Sequence, residues 1–350
     1  MDNRNKPHLL GLILIALLSL SACIAPASNP APATAIVTPT AVAASATEAL
    51  STAVTDTSTG TVTIQHEGGE TTFTSVPQRV IVLEYSFVDS LFALDLQPIG
   101  YADDGVPAYL LKLLQATTAE AVGTRNEPNL ETIAHLKPDL IIADTTRHTA
   151  IYEQLKQIAP TLIFDSYRGS YETQIEIFKE LSQIFHKEAL AEQVIADARQ
   201  ALAAAQKLAV GHERNISVGV LAGTGFTAHS NASYMGTLLA GLGLPTALEP
   251  LDGKTQFLLD LEGIVTLKPK AIVVTCSPED RGLWNEWTSK PVWQQLDAVK
   301  NQQVYVFNRD LWSKSRGLLS LHLILRDAKA SGLLSGEPSR SVTCPDAVEE

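Results

Sequence analysis

One uninterrupted helical stretch, residues 188–210, constrains the fold more than any other feature of the sequence. It contains no Gly and no Pro, and it is dominated by Ala, Leu, Glu, Gln and Lys, which lose little conformational freedom in a helix. Apolar residues recur along it at steps of three and four: Leu190, Val194, Ala198, Leu202, Ala205 and Leu208. At 1.5 Å per residue such a helix spans roughly 35 Å, about the width of a small domain. We therefore expect a stiff rod between two lobes, which allows only a modest closure.

Two stretches on opposite sides of this helix, residues 129–144 and 260–275, resemble each other. Each opens with a helix N-cap residue, Asn129 or Asp260, and continues as a short amphipathic helix that a Lys-Pro pair interrupts. A β-branched run follows and predicts a buried parallel strand. Two such units favour two lobes over a solenoid, which needs several repeats at short period. The predicted fold class is α/β, with two lobes, each a mostly parallel sheet flanked by helices, joined by one long rigid helix.

Changes in composition along the chain predict its organisation. Between residues 24 and 60, Ala, Pro, Thr and Ser predominate, and such a segment cannot bury enough apolar area to offset its ordering entropy. We expect a lipoprotein signal peptide at 1–23, a disordered tether at 24–60, an N-terminal lobe at 61–169, a helical segment with the linking helix at 170–212, a C-terminal lobe at 213–334 and a tail at 335–350.

The N-terminal segment has the character of a targeting signal and is not predicted to contribute to the fold. Basic residues precede an apolar run at 9–20, which is short for a membrane span. The run ends in Leu20-Ser21-Ala22-Cys23, which resembles the bacterial lipoprotein signal, whose cysteine becomes the lipidated first residue. We expect an exported protein held at the membrane through this lipid anchor, in the periplasm or on the outer face of the cytoplasmic membrane. The alternative is an ordinary signal peptide in which Cys23 is incidental.

Charge and size narrow the class of partner. The chain has 350 residues, 45% of them hydrophobic, which is enough for two domains with cores of their own. Its net charge of −12 argues against nucleic acid, which requires a basic face. Any binding of anions must then depend on local arginines. We expect a monomer.

The sequence contains three cysteines, of which Cys276 and Cys344 remain if Cys23 carries a lipid. An exported compartment is oxidising, so a disulfide between these two is a reasonable expectation. The alternative is a pair of free thiols.

A ligand site is expected where the sheets end. Ligands of open parallel sheets bind beyond the carboxyl ends of the strands, and pockets are common at domain interfaces. Arg is the residue suited to a multiply anionic ligand there, because its planar fork pairs with carboxylates and keeps its proton. For each arginine the alternative is a solvated surface position. The candidate ligand-binding residues are Arg125, Arg147, Arg168, Arg316, Trp312, Tyr85, Tyr101 and Tyr234.

Motifs of catalysis and metal binding are missing from the sequence. It contains no Gly-x-Ser-x-Gly and no His-Glu-x-x-His. Asp103-Asp104 could bind a metal, yet paired carboxylates in a loop are more often helix caps or solvated turns. Histidines beyond the signal are scattered singly, so a transition-metal site built by the protein is not expected. The sequence therefore predicts no catalytic residue and no cofactor.

Several segments together resemble the ferric-citrate and siderophore solute-binding proteins of bacterial ABC importers. The matching segments are Arg79 to Asp89, Gly100 to Asp104, Val122 to Arg125, Leu130 to Asp144, Arg147-His148, Trp312 and Arg316-Gly317. The likeness extends from Thr61 to about Leu334 and implies the two-lobed fold with a single connecting helix. It also implies capture of an iron(III) chelate outside the inner membrane, with Arg125, Arg147, Arg168 and Arg316 facing the chelate and no iron ligand from the protein itself. Residues 223–233 match less well.

The same resemblance gives a role to two glutamates at matching places in the two halves, Glu131 and Glu262. It implies that each docks onto arginines of one subunit of the ABC permease dimer. The local alternative is that a Glu in the first turn of a helix interacts favourably with the macrodipole. Both roles are compatible.

The expected function is capture of ferric citrate or of a carboxylate-bearing or hydroxamate siderophore, and its delivery to the permease. One alternative is the same fold carrying cobalamin, haem or a catecholate siderophore. Alternatives of other classes are an exported enzyme acting on a carboxylated substrate and an adhesive or scaffolding module.

Overall fold

A computed structural model describes residues 60–210, 215–223 and 225–345. Cys23, the predicted signal peptide and almost all of the predicted tether lie outside these residues. The strands of the first lobe are β1 Val62–His66, β2 Gly69–Phe73, β3 Val80–Val82, β4 Gly100–Tyr101, β5 Glu120–Ala121, β6 Leu140–Asp144 and β7 Thr161–Phe164. Its helices are α1 Tyr85–Ala93, α2 Ala108–Gln115, α3 Leu130–His135, α4 Thr145–His148 and α5 Tyr152–Lys156, with a 3₁₀ turn at Thr149–Ile151 between the last two.

The second half of the chain is built in a similar way after two consecutive helices, α6 Tyr171–Ile184 and α7 Glu188–Gln206. Its strands are β8 Ile216–Ala222, β9 Gly225–His229, β10 Gln256–Leu259, β11 Ala271–Cys276 and β12 Val304–Asn308. Its helices are α8 Tyr234–Gly241, α9 Leu261–Leu267, α10 Arg281–Ser289, α11 Pro291–Gln294, α12 Asp297–Lys300 and α13 Leu318–Ala330, with a 3₁₀ turn at Pro278–Asp280 and a π-helical turn at Asp310–Lys314.

The two five-stranded sheets confirm the predicted α/β class and differ from each other at one edge. The first has strand order β5-β4-β3-β6-β7, and all of its neighbouring pairs are parallel. The second has order β10-β9-β8-β11-β12, in which β8, β11 and β12 are parallel while β9 and β10 form an antiparallel extension. The chain reverses at Gly223, which has a φ of +62° that glycine adopts at low cost, and β9 returns along β8.

The repeat recognised in the sequence appears as α3–β6 in one lobe and α9–β11 in the other. The Asn129 side chain accepts a hydrogen bond from the Thr132 amide at 3.0 Å, and the Asp260 side chain accepts one from the Gly263 amide at 2.8 Å. Both helices are followed by a lysine in the left-handed region, Lys137 at φ +48° or Lys268 at φ +47°. A left-handed residue before proline ends each helix and turns the chain into its buried strand.

The long helix α7 is present as predicted, and α6 is separated from it by His186 at φ +51°. Its buried face differs from the predicted stripe. The structure buries Ala191, Ile195, Ala198 and Ala205, whereas Leu208 is 46% exposed. Ala198 and Ala205 agree with the predicted stripe, while Ala191 and Ile195 are buried in place of the half-buried Leu190 and Val194. Helix α7 packs against α6 and α13.

The lobes share one hydrophobic core in addition to their connection through α7. A single cluster of buried side chains extends from Val82 and Phe87 in the first lobe, through Phe178 on α6, to Val218 and Leu321 in the second. Helix α1 packs against α13, and α6 packs against α8. The picture of two halves separated by a rod is therefore incomplete, because helices of both halves pack together in one apolar cluster.

The predicted tail is ordered against the second lobe as far as residue 345. The Val306 amide donates to the Ser341 carbonyl at 3.1 Å, and the Trp284 indole donates to the Val342 carbonyl at 3.0 Å. Cys276 at the end of β11 forms a disulfide with Cys344, with a Cα–Cα distance of 5.6 Å. None of the helices in the described part of the chain combines the length and apolar character that a bilayer span requires.

Candidate functional site

The carboxyl ends of the parallel strands of both lobes meet around an interlobe cleft. Its outer part is a cavity of ≈ 610 Å³ lined by Asp104, Arg125, Asn126, Thr146, Arg147, Tyr167, Arg309 and Lys314. Its inner part, ≈ 110 Å³, adds Arg316, Ser313 and, from the β8–β10 side, Val220, Ala222, Thr227 and Gln256. Cationic side chains thus come to the cleft from both lobes.

Glu84 lies at the base of the cleft and contacts arginines of both lobes. It follows β3 and is fully buried. Its Oε1 lies 3.1 Å from Arg125 NH1 and 3.6 Å from Arg316 NH2, and its Oε2 lies 2.5 Å from Arg147 NH1. Burial raises the pKa of Glu84, but the charges of the three guanidinium groups outweigh that effect and hold the pKa below its ordinary value. One buried anion therefore keeps three cations close together.

Arg125 has a second carboxylate partner. Asp104 accepts from Arg125 Nε at 2.9 Å and from NH2 at 3.0 Å, a bidentate pair, and its Oδ1 also accepts from the Tyr85 hydroxyl at 3.0 Å. The Arg125 guanidinium lies 4.2 Å from the centre of the Tyr85 ring. Arg125 is therefore fixed on several sides, and Asp104 reduces the positive charge that it presents.

Arg147 and Arg316 share an aromatic partner in Tyr167. Their guanidinium carbons lie 4.5 Å and 5.2 Å from the centre of its ring. Arg316 NH1 also donates to the Tyr167 carbonyl at 3.2 Å, a bond that crosses from the second lobe to the first. Tyr167 thus stabilises both cations through its ring face.

Buried hydrogen bonds fix the loops that carry these arginines. His148 Nδ1 accepts from the Asp144 amide at 2.9 Å, so its Nε2–H donates to the Arg125 carbonyl at 2.7 Å. Burial lowers the pKa of His148 and keeps the ring neutral. Asp144 caps α4 and accepts from the Tyr167 amide at 2.8 Å, and burial raises its pKa. The ends of β5, β6 and β7 are therefore tied to one another.

Arg168 is close to the cleft but does not line it. Its side chain is exposed and borders a neighbouring cavity of ≈ 320 Å³ together with Lys254 and Thr255. The chain turns at this point, so that Tyr167 faces the other arginines and Arg168 faces away. The structure thus places Arg168 at the margin of the cleft, unlike Arg125, Arg147 and Arg316.

The aromatic candidates are also placed differently from the prediction, and none of them lines the cleft. Trp312 is buried against Phe307, with ring centres 3.9 Å apart, because the π-helical turn directs it into the core of the second lobe. Tyr234 is buried between the lobes beside Tyr171. Tyr85 supports Arg125 from beneath, and Tyr101 packs half-buried at the end of β4. In this structure these four side chains provide support and packing and do not line the cleft cavities.

The lining residues that were not selected from the sequence include Tyr167, Arg309 and Lys314. Lys314 pairs with Asp310 at 2.6 Å. Arg309 and Lys314 precede Arg316 in the segment that follows β12, so the signal that could have identified them is a cluster of basic residues after a predicted strand.

Glu131 and Glu262 are exposed in the first turns of α3 and α9, at equivalent places in the repeat. Neither glutamate lines the cleft cavities. In the described residues no group of three or more His, Cys, Asp or Glu is arranged to hold a metal ion.

This architecture, two α/β lobes with a polar cleft at the ends of their strands, defines the class of two-lobed solute-binding proteins. The chain belongs to the periplasmic binding protein family Peripla_BP_2, whose model matches residues 80–311.

Relatives in this family are similar over most of their length. The chain is 36% identical over 266 residues to the Fe(3+)-citrate-binding protein YfmC of Bacillus subtilis (strain 168), covering 75% of this chain and 84% of that protein. It is 33% identical over 270 residues to the Fe(3+) dicitrate-binding periplasmic protein FecB of Escherichia coli (strain K12), covering 76% and 88%. Among solved structures, Staphylococcus aureus SirA complexed with staphyloferrin B has a TM-score of 0.68 at 27% identity, with 79% and 100% covered.

Proposed function

We propose that this protein binds an anionic iron(III) chelate in the interlobe cleft and delivers it to the permease of an ABC importer. The observation that carries the proposal is the convergence of Arg125, Arg147 and Arg316 on the buried Glu84, with Arg309 and Lys314 beside them. Five cations around one cleft suit a ligand that bears several carboxylates. The names of the relatives, two of them ferric-citrate-binding, support iron as the cargo.

Within this class the favoured ligand is ferric citrate or a siderophore with carboxylate or hydroxamate groups. The cleft lining is mostly polar and charged, which fits such ligands better than cobalamin or haem, whose large apolar faces call for apolar walls. The protein itself is proposed to supply no iron ligand, since the chelator holds the metal.

A binding screen tests this proposal. Purified protein is titrated with ferric citrate, ferric hydroxamates, ferric catecholates, haem and cobalamin, and intrinsic Trp fluorescence and calorimetry report binding. We expect saturable binding of ferric citrate or of a carboxylate or hydroxamate complex, and much weaker binding of haem and cobalamin. Absence of binding to every ferric chelate would refute the proposal, and turnover of a carboxylated substrate without a permease would favour an enzyme.

Delivery would use the two exposed glutamates. Glu131 and Glu262 occupy the same place in the two halves, on the first turns of helices that precede buried strands. We propose that each pairs with arginines of one permease subunit, so that the two-lobed protein straddles a dimer. A lipid anchor at Cys23 would keep the protein near that permease, and the predicted tether would give it reach.

A further inference from the structure

The segment that carries Arg316 is held by a helix of the opposite lobe. Glu84, the N-cap residue of helix α1, pairs with Arg316, and Asp89 lies on the same helix. The two Asp89 carboxylate oxygens accept from the backbone amides of Leu319 and Ser320, each at 3.0 Å. These amides belong to the first turn of α13, whose N–H groups have no partner within the helix. Asp89 of the first lobe thus caps a helix of the second.

The contact leaves no space between α1 and the segment at the start of α13. Asp89 is fully buried, and Gly317 lies so close to it that an added Cβ would be 1.9 Å from the Asp89 carboxyl carbon. The Gly317 amide donates to the Ser320 hydroxyl at 3.0 Å, which further fixes the start of α13. The backbone directly after Arg316 is therefore determined by Asp89.

Arg316 itself has a backbone conformation that needs such support. Its φ is +49°, in the left-handed region that non-glycine residues seldom adopt, and this conformation persists only where neighbouring contacts impose it. The result is a buried guanidinium that reaches Glu84 and the Tyr167 carbonyl across the interlobe boundary. A relaxed backbone at this position would direct the side chain elsewhere.

The side chain of Asp89 is a buried carboxyl group that accepts hydrogen bonds from two helix amides. Burial raises its pKa to about 6, although hydrogen bonds from Tyr109 and from the amides of Leu319 and Ser320 act in the opposite direction. Above that pH the carboxylate is ionised, and an anion at the N-terminus of a helix is stabilised by the exposed N–H groups. The Tyr109 hydroxyl donates to the same carboxylate at 2.6 Å.

We propose that Asp89 is a positioning residue for ligand binding: by capping α13 from the first lobe, it fixes the backbone at Arg316 and holds that guanidinium in the cleft. Asp89 does not touch the ligand and acts through Arg316. This inference rests on the proposed function, in which Arg316 contacts the chelate.

A double-mutant cycle tests it in the full-length protein with ferric citrate as the probe. Asp89→Asn keeps the shape of the side chain and replaces one acceptor oxygen by a donor, so we expect binding about tenfold weaker than in the wild type. In an Arg316→Ala background the same substitution should change the Kd by no more than about twofold, because the group that it positions is gone. Calorimetric titrations well below the unfolding temperature give the dissociation constants of the wild type, the two single variants and the double variant.

Tyr109→Phe is the matched control. It removes one hydrogen bond from the same carboxylate and leaves both bonds to α13, so we expect a Kd within about twofold of the wild type. Should Asp89→Asn fail to fold, Gly317→Ala presses on the carboxylate without changing its charge, and it should weaken binding in the same Arg316-dependent way.

An unchanged Kd for Asp89→Asn would overturn the positioning role, and so would an equal loss in the wild-type and Arg316→Ala backgrounds, which would indicate a general effect on the fold. These results differ from failure of the proposed function. In that case the wild type itself binds neither ferric citrate nor another ferric chelate, and both the proposed function and this assignment fall.

Discussion

At the scale of residues, the cleft combines cations with buried carboxylates. Glu84 contacts three arginines, and Asp104 occupies two donors of Arg125. Arg125 therefore has the fewest N–H donors left for a new bidentate contact with a ligand. Arg147 directs one nitrogen to Glu84, and its side chain is 13% exposed. The carboxylates keep the arginines together without a ligand, so the site is largely preformed.

The contribution of these arginines can be measured by truncation. Arg147→Ala and Arg316→Ala should each weaken ferric chelate binding by roughly tenfold or more, which corresponds to the loss of about one charge-assisted pair. Arg168→Ala is the control, since its exposed side chain lies at the margin, and we expect a change of less than about threefold. Trp fluorescence titrations give the three values, and unaltered binding in both cleft variants would contradict the assigned site.

Glu84 also links the cleft to stability. Its folded-state pKa is lowered, so it contributes stability above the ordinary pKa of a glutamate, and this contribution is lost as the pH falls through the lowered value. Glu84→Gln leaves three guanidinium groups without their shared anion, and we expect a loss of roughly 3 kcal/mol in the free energy of unfolding near neutral pH. At acidic pH the free energies of unfolding of Glu84→Gln and the wild type should become equal, because Glu84 is then protonated.

Urea unfolding as a function of pH measures this difference. The control is Glu120→Gln, which replaces an exposed carboxylate on β5. Its free energy of unfolding should equal that of the wild type at every pH. Equal stability of Glu84→Gln and the wild type near neutral pH would show that the buried contact contributes nothing.

The arginines at strand ends were predictable because residue type and strand position suffice to place them near a cleft. Arg309, Lys314 and Trp312 were not correctly predicted, since their directions depend on a π-helical turn and on the left-handed backbone of Arg316. Neither feature has a local sequence signal. Tyr167 was missed because an aromatic residue beside Arg168 gives no indication of which of the two faces inward.

At the scale of elements, the repeated helix–strand units and α7 were predicted from periodicity, N-caps and Lys-Pro pairs. The antiparallel strands β9 and β10 were missed. Their pairing depends on a reversal at Gly223 and on partners about 30 residues apart, which no local pattern reports. The predicted face of α7 was correct at Ala198 and Ala205 but one position off at Leu190 and Val194, because alanine packs closely against neighbouring helices as readily as leucine fills a core.

The buried face of α7 can be probed directly. Ala198 is fully buried where α7 packs in the interlobe core, so Ala198→Leu should overpack it and cost about 1–3 kcal/mol of stability. Ala196→Leu on the exposed side of the same helix should be nearly neutral. Thermal unfolding compares the two, and equal effects would contradict the observed orientation of the helix.

At the scale of the whole molecule, the shared core and the contacts across the lobes argue against a wide clamshell motion. Arg316 and Asp89 each bond across the boundary, and one apolar cluster spans both halves. We expect small-angle scattering profiles of the free and chelate-bound protein to be nearly superimposable. A large compaction on addition of ligand would contradict this expectation.

The proposed docking through Glu131 and Glu262 would involve both lobes at once. Glu131→Ala combined with Glu262→Ala should leave chelate binding intact and abolish uptake, because neither glutamate lines the cleft and both would face the permease. Exposed glutamates elsewhere, Glu120→Ala combined with Glu192→Ala, provide the control and should transport normally. Cellular uptake of radiolabelled iron measures the effect, and normal transport by the first variant would refute the docking proposal.

The common core of the two halves has a consequence for how such proteins diversify. A hybrid made from one half of this chain and the other half of a relative would join two apolar faces that were not selected to fit each other, and its Asp89 cap would meet a foreign helix. New ligand preferences should therefore arise more readily through substitutions of residues that line the cleft than through exchange of whole halves between genes.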